Sequence, residues 1–335
     1  MTWIEIAWIA MSAASLTLGV IHFFVWFKYR ARLAHLLFFV LAVSVTAFGA
    51  FELAMMHAPS AAAYANTLRW AHVPLAMVVL AIVWFVYFHF NAGRLWLAWA
   101  VCSFRLLGLA LNFVTGVNIN FSEVTSLDRW LLWGDTVVVG PVGSANPWAI
   151  VPQIGNLLLI AFVVDASITL WRRGGVDARR RAVVVGGGVV GCVVAVAGFA
   201  ALITLGFVHA PTIVMPGVFL IVLAMGYELG WDLIAAAQLA ERLRASEMRF
   251  RAVVEAVPSA IFLVDGRGMI ALANAQAESM FGYPRALLLS SKRTVRALDA
   301  ATALVSAGRT ILRRRCSACV QSYAVARHLG SPCHG

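Results

Sequence analysis

The sequence predicts a mostly α protein: a polytopic bundle of seven membrane-spanning helices, then a helical connector and the beginning of a small α/β domain. Three observations carry this prediction. Of the 335 residues, 62% are hydrophobic and only 12% charged, with a mean hydropathy of +0.86, far too apolar for a soluble domain. Seven apolar runs reach the roughly 20 residues a bilayer core demands: 3–27, 33–57, 67–90, 94–116, 150–171, 182–208 and 211–234. After residue 235 the pattern changes to charged, helix-type spacing and then to short alternating runs.

The first run opens MTWIEIAW with no Lys or Arg before it and no small-residue cleavage site, so it reads as a retained span rather than a signal peptide. Basic residues set the orientation. Lys28, Arg30 and Arg32 follow span 1, Arg94 follows span 3, and Arg172, Arg173, Arg179, Arg180 and Arg181 follow span 5, whereas the alternate loops hold only Arg69 and Arg129. The N-terminus is therefore expected outside and the C-terminus inside. The net charge of +11 then belongs to cytoplasmic loops and a basic tail, not to a nucleic-acid face.

Charged and polar groups inside spans are costly unless they find partners. Glu52 and His57 at the end of span 2 and Arg69 and His72 at the start of span 3 share one outer level. They are expected to form a polar cluster, either a ligand or proton sensor or a set of groups satisfying one another and the headgroup water. Arg105, near the middle of span 4, is expected to pair with Asp165 of span 5 or Glu228 of span 7, as a staple or as a switch that breaks on activation.

Between spans 4 and 5 lies the one long outer segment, read as a loop whose Trp130, Trp133 and Trp148 form either an apolar lid or an interfacial belt. Asn120-Phe121-Ser122 fits the short glycosylation pattern. In span 6, Gly187 and Gly191 form a GxxxG pair, expected to serve close helix packing. Among the histidines, His22 and His89 are the pair whose depths would suit axial ligands of a haem, although snorkelling or hydrogen-bonded roles account for them more simply.

The connector, residues 235–257, places Ala236, Leu239, Leu243, Ser246, Phe250, Val253 and Val257 at a and d positions of a heptad, with Glu and Arg elsewhere. This seam predicts a homodimer through the connector helix. Pro258 ends the helix. The run AIFLVD, a turn at Gly266 and Gly268, the run MIALAN and a helix opened by Asn274 follow.

In the order SEMRFRAVVEAVPSAIFLVD, GRGMIALAN and NAQAESMFGYPRALL, the chain resembles the opening of a PAS domain. The motif positions are Asp265, Gly266, Asn274, Gly282 and Tyr283. The membrane half, with NPW in the long loop, FVVDASITLWRRG and LAMGYELGWDLIAAAQLAERLRASE, looks like the seven-helix input region of bacterial membrane-bound sensor proteins that carry PAS and histidine kinase domains. The resemblance implies a two-component system in the bacterial inner membrane, with a kinase and a response regulator as downstream partners.

The expected division is a membrane region at 1–234, a connector at 235–257, a partial PAS domain at 258–289 and a tail at 290–335. From Ser290 onward eight Lys and Arg stand against one acid, Asp299, without strand alternation, which reads as a disordered tail or a frame-shifted, truncated product. Cys316, Cys319, His328, Cys333 and His334 match no compact zinc spacing. No Gly-rich nucleotide loop, phospho-acceptor histidine on a helix or acidic metal site occurs in the soluble part, so no catalysis and no cofactor are expected of the chain. Signal transmission is the leading expectation. A transporter or redox membrane protein, or a truncated product without function, stands as the alternative.

Overall fold

The computed structural model describes residues 2–132, 136–208, 210–264, 270–282 and 284–286. The chain divides into two compact units, the first of which ends at Leu233.

Seven helical stretches in the described residues are long and apolar enough to cross a membrane. Helix is what lipid enforces on such runs, because each backbone N–H and C=O must then be satisfied within its own segment. Helix α1 (Trp3–Lys28) begins with a capping box in which the Thr2 side chain accepts from the Glu5 amide while the Glu5 carboxylate accepts from the Thr2 amide. The turn KYRAR leads into α2 (Leu33–Met56), packed along α1. Helix α3 (Ala61–Phe90) is capped by Ser60, runs unbroken through Pro74 and stops at Asn91 in the left-handed region. Helix α4 (Leu95–Val114) returns beside it.

The long outer segment is not the loop expected from sequence. It forms an antiparallel hairpin of β1 (Phe121–Leu132) and β2 (Thr136–Ala145), with irregularities near Glu123 and Val124. An isolated two-stranded hairpin is marginal. Here β1 lies against α3 and β2 against α2, and Phe121 and Val138 are buried. Of the three tryptophans given a lid or belt role, Trp130 and Trp148 are exposed, and Trp133 lies outside the described residues.

Asn146 caps the short turn Pro147–Ala149, which opens into α5 (Ile150–Arg172). The sixth apolar stretch is composite: α6 (Val176–Arg181), a π-helical turn over Ala182–Gly187, and α7 (Gly188–Thr204). Close packing in it falls on Gly186, not on the GxxxG pair. A methyl at Gly186 would collide with Ser167 Oγ, whereas one at Gly187 or Gly191 would meet no atom within 4 Å among the described residues. Helix α8 (Met215–Ala256) is 42 residues long, about 63 Å at 1.5 Å per residue. Val218, Ile221, Val222, Met225 and Leu229 in its first part are buried in the bundle.

In the second unit, β3 (Phe262–Val264) and β4 (Ile270–Ala273) pair antiparallel where alternation places two strands, and α9 (Ala275–Phe281) follows. Ala260, Phe262, Ile270, Ala273 and Ala277 form its small core.

Candidate functional site

Arg105 is 7% exposed, yet among the described residues no hydrogen bond or ion pair reaches it. The expected partners are engaged elsewhere. Asp165 faces Arg94 at 3.4 Å, and Glu228, fully buried, accepts a bidentate pair from Arg180 (Nε to Oε1 3.1 Å, Nη2 to Oε2 3.2 Å). The physical reason is helix rotation. Arg94, the N-cap of α4, and Arg180, in the last turn of α6, reach Asp165 and Glu228 from the ends of their own helices, whereas Arg105 sits at the middle of α4.

Arg105 instead lines a cavity of about 120 Å³ with His72, Asn120, Gln153 and Asn156. Its remaining wall is apolar, including Val79 and Ile82 of α3, Val193 and Val196 of α7, and Ile221 of α8. A second space of about 10 Å³, room for one water, also touches both His72 and Arg105.

Three buried asparagines hold the turn after α4 that carries Asn120. Asn112 accepts from the Ile119 amide at 3.0 Å and donates to the Arg69 carbonyl at 2.8 Å. Asn118 accepts from the Asn120 and Phe121 amides at 3.0 and 2.9 Å, and Asn146 donates to the Asn118 carbonyl at 2.8 Å. These bonds pin the turn after α4, from which Asn120 joins His72 in the cavity lining. His72 also meets the Leu68 carbonyl through Nδ1 at 2.8 Å. The glycosylation-like Asn120 thus lines the cavity together with His72. Sequence reasoning passed over Asn112, Asn118 and Asn146; the signal available was the crowding of asparagines into an otherwise apolar stretch.

The four residues expected to cluster at the outer level are dispersed. Glu52 is fully buried and accepts from Trp8 Nε1 at 2.9 Å and from the amides of Val214 and Met215, the latter at 2.9 Å. It therefore caps the first turn of α8, where unsatisfied amides and the helix dipole favour an anion. His57 meets Glu5 at 3.4 Å, and Arg69 donates to the Gly116 carbonyl at 2.8 Å. Only His72 of the four lines the cavity. At the opposite end of the bundle, His22 meets His35 with Nδ1 to Nδ1 2.9 Å, a hydrogen-bonded role of the simpler kind. Among the described residues no group of three or more His, Cys, Asp or Glu is placed to hold a metal ion.

Helix α8 is gripped again lower down. Besides the Arg180–Glu228 pair, Arg181 binds Asp232 one turn on, and the Arg180 guanidinium lies 4.7 Å from the Trp231 ring centroid.

In the second unit Asn274 is a buried hub. Its Oδ1 accepts from the amides of Ile261 at 2.9 Å and Ala277 at 3.0 Å, capping α9. Its Nδ2 donates to the carbonyls of Val254 at 3.1 Å, Val257 at 3.4 Å and Ser259 at 2.9 Å. The end of α8, the start of β3 and the start of α9 are thus tied to one side chain. Glu255 accepts from the Ala275 amide at 2.8 Å and from the Arg285 guanidinium, and the Arg285 contact holds its carboxyl below the usual range. Gly282 closes α9 in the left-handed conformation, φ 73°. Asp265, Gly266 and Tyr283, with the tail cysteines and histidines, lie outside the described residues.

Seven helices long and apolar enough to cross a lipid bilayer define a multi-pass membrane protein, which also carries a small strand-and-helix unit. Residues 248–315 match the PAS domain family, so the module is a PAS domain. The match starts within α8 and runs past residue 289, into the stretch that composition marks as a tail. No curated protein and no solved structure matches the chain.

Proposed function

We propose that the chain is the sensory region of a signalling protein of the bacterial inner membrane, with the N-terminus outside. Its bundle receives a stimulus, α8 conveys it, and the PAS domain relays it to the output of a two-component histidine kinase. The observation that carries this reading is α8 itself. It is one uninterrupted helix, clasped in the bundle by Glu52 at its first turn and by Arg180 and Arg181 about 20 Å further along. Its last turn is bonded to the PAS hub through Val254.

The connector supports a homodimer. Leu239 and Leu243 are each 69% exposed, Phe250 55% and Val253 65%, in the a and d spacing of a heptad. Four large apolar groups left bare on one seam are best covered by the same seam of a second copy. The test is disulfide trapping in membranes with single cysteines placed from Leu239 to Val253, in a background lacking the five native cysteines. Cross-linking should peak at Leu239→Cys, Leu243→Cys, Phe250→Cys and Val253→Cys and fall at Glu241→Cys and Met248→Cys, on the outer face of the heptad. Uniform or absent cross-linking refutes the paired connector.

A further inference from the structure

We infer that the cavity around Arg105 is a binding site for a small monocarboxylate with a short apolar tail, the stimulus class of the sensory reading above, on which its regulatory meaning rests. Arg105 is a 93% buried cation by its 7% exposure. A buried charge without a counter-ion is unstable unless something pairs with it. The acids of the surrounding helices are committed: Glu5 to Thr2 and His57, Glu52 to Trp8 and α8, Asp165 to Arg94, Asp177 and Glu228 to Arg180, and Asp232 to Arg181. Among the described residues of these helices no carboxylate is left for Arg105, and the neutralising group is expected from outside the chain.

The cavity states what kind of group it is. One guanidinium suits one carboxylate, which it can grip with two parallel N–H···O bonds. Gln153, whose Oε1 accepts from Asn156 Nδ2 at 3.3 Å, keeps its own amide donor for a ligand, and among the described lining residues Arg105 has no second Lys or Arg beside it to offset a dianion such as phosphate. The rest of the lining is aliphatic, and about 120 Å³ is close to the volume that accommodates a benzene ring in a dry cavity. A carboxylate with four to six carbons, or benzoate, has the matching charge, polarity and size; a long-chain fatty acid overfills the space.

The experiment is calorimetric titration of the full chain in lipid nanodiscs with hexanoate, benzoate, hexanol, palmitate and inorganic phosphate. Hexanoate or benzoate should bind saturably at one site per chain, and Arg105→Gln should weaken binding by about tenfold or more. Val79→Phe keeps the arginine and fills the space, so it should also abolish binding, which covers the case of a misfolded Arg105→Gln. Equal affinity for hexanol, preference for phosphate, binding of palmitate but not hexanoate, or full binding by either variant overturns the inference. The connector cross-links, measured with and without hexanoate, separate the two readings. Binding that leaves their pattern unchanged upholds the site and refutes its sensory role. A pattern that responds to another stimulus, with no carboxylate bound, does the reverse.

Discussion

Removing the carboxylate of Glu52 should unseat the first turn of α8. The side chain is fully buried and accepts from three donors: the Trp8 indole and the amides of Val214 and Met215. Glu52→Ala strands all three where water cannot replace the acceptor. Hydrogen bonds to a charged group contribute about 1.5–3 kcal/mol each, and an orphaned buried donor costs about 1–3 kcal/mol. Allowing for relaxation of the short segment before α8, the loss should be about 4 kcal/mol. Trp8→Phe removes one donor of the three and should cost about 1–1.5 kcal/mol in the parent, but only the small packing difference in a Glu52→Ala background. Unfolding by dodecyl sulfate titration in mixed micelles, followed by tryptophan fluorescence and circular dichroism, measures the cycle. A loss below about 1 kcal/mol for Glu52→Ala, or the same cost of Trp8→Phe in both backgrounds, would refute the claim that Glu52 clasps α8.

Two further predictions concern the PAS unit. Asn274→Ala deletes five hydrogen bonds from one buried side chain and should destabilise the unit by about 3 kcal/mol. Asn274→Asp keeps the acceptor side but turns a buried carboxylate oxygen toward three carbonyl oxygens, so it should lose at least as much, with hydrogen exchange at the Ile261 and Ala277 amides as the readout. The Glu255 carboxyl is held below its ordinary value of 4.5 by Arg285 and the Ala275 amide. Because the folded value lies below the unfolded one, its contribution is complete above about pH 4.5 and is lost as pH falls through the folded value. Thermal unfolding followed between pH 3 and 7 should show this loss at the acid end. Glu255→Gln should flatten that part of the profile, and an unchanged profile would refute the linkage.

How much of this was legible in the sequence differs from residue to residue. The spans could be read almost to their ends, since continuous apolar length is a local property and helix is the form lipid allows it. The PAS strands and the Asn274 cap could also be read, because alternation and capping act over a few positions. The outer hairpin could not. Its two strands depend on burying Phe121 and Val138 against the bundle, a tertiary gain that no local pattern announces. The GxxxG spacing points to Gly187 and Gly191, but within the π-helical turn it is the preceding glycine, Gly186, that lies against Ser167.

Charge pairing shows the division most clearly. Composition and spacing alone determine that a buried Arg105, Asp165, Glu228 and Glu52 each need an answer, because desolvating a charge is costly in any fold. Which group answers was decided by tertiary structure. Helix rotation and depth hand Asp165 to Arg94 and Glu228 to Arg180, and bring Glu52 to an α8 amide 163 residues away. They leave Arg105 facing a cavity in place of a carboxylate. Pairing energy falls off within a few ångströms, and distances of that scale between helices are set by packing across the bundle, which hydropathy along the chain does not encode.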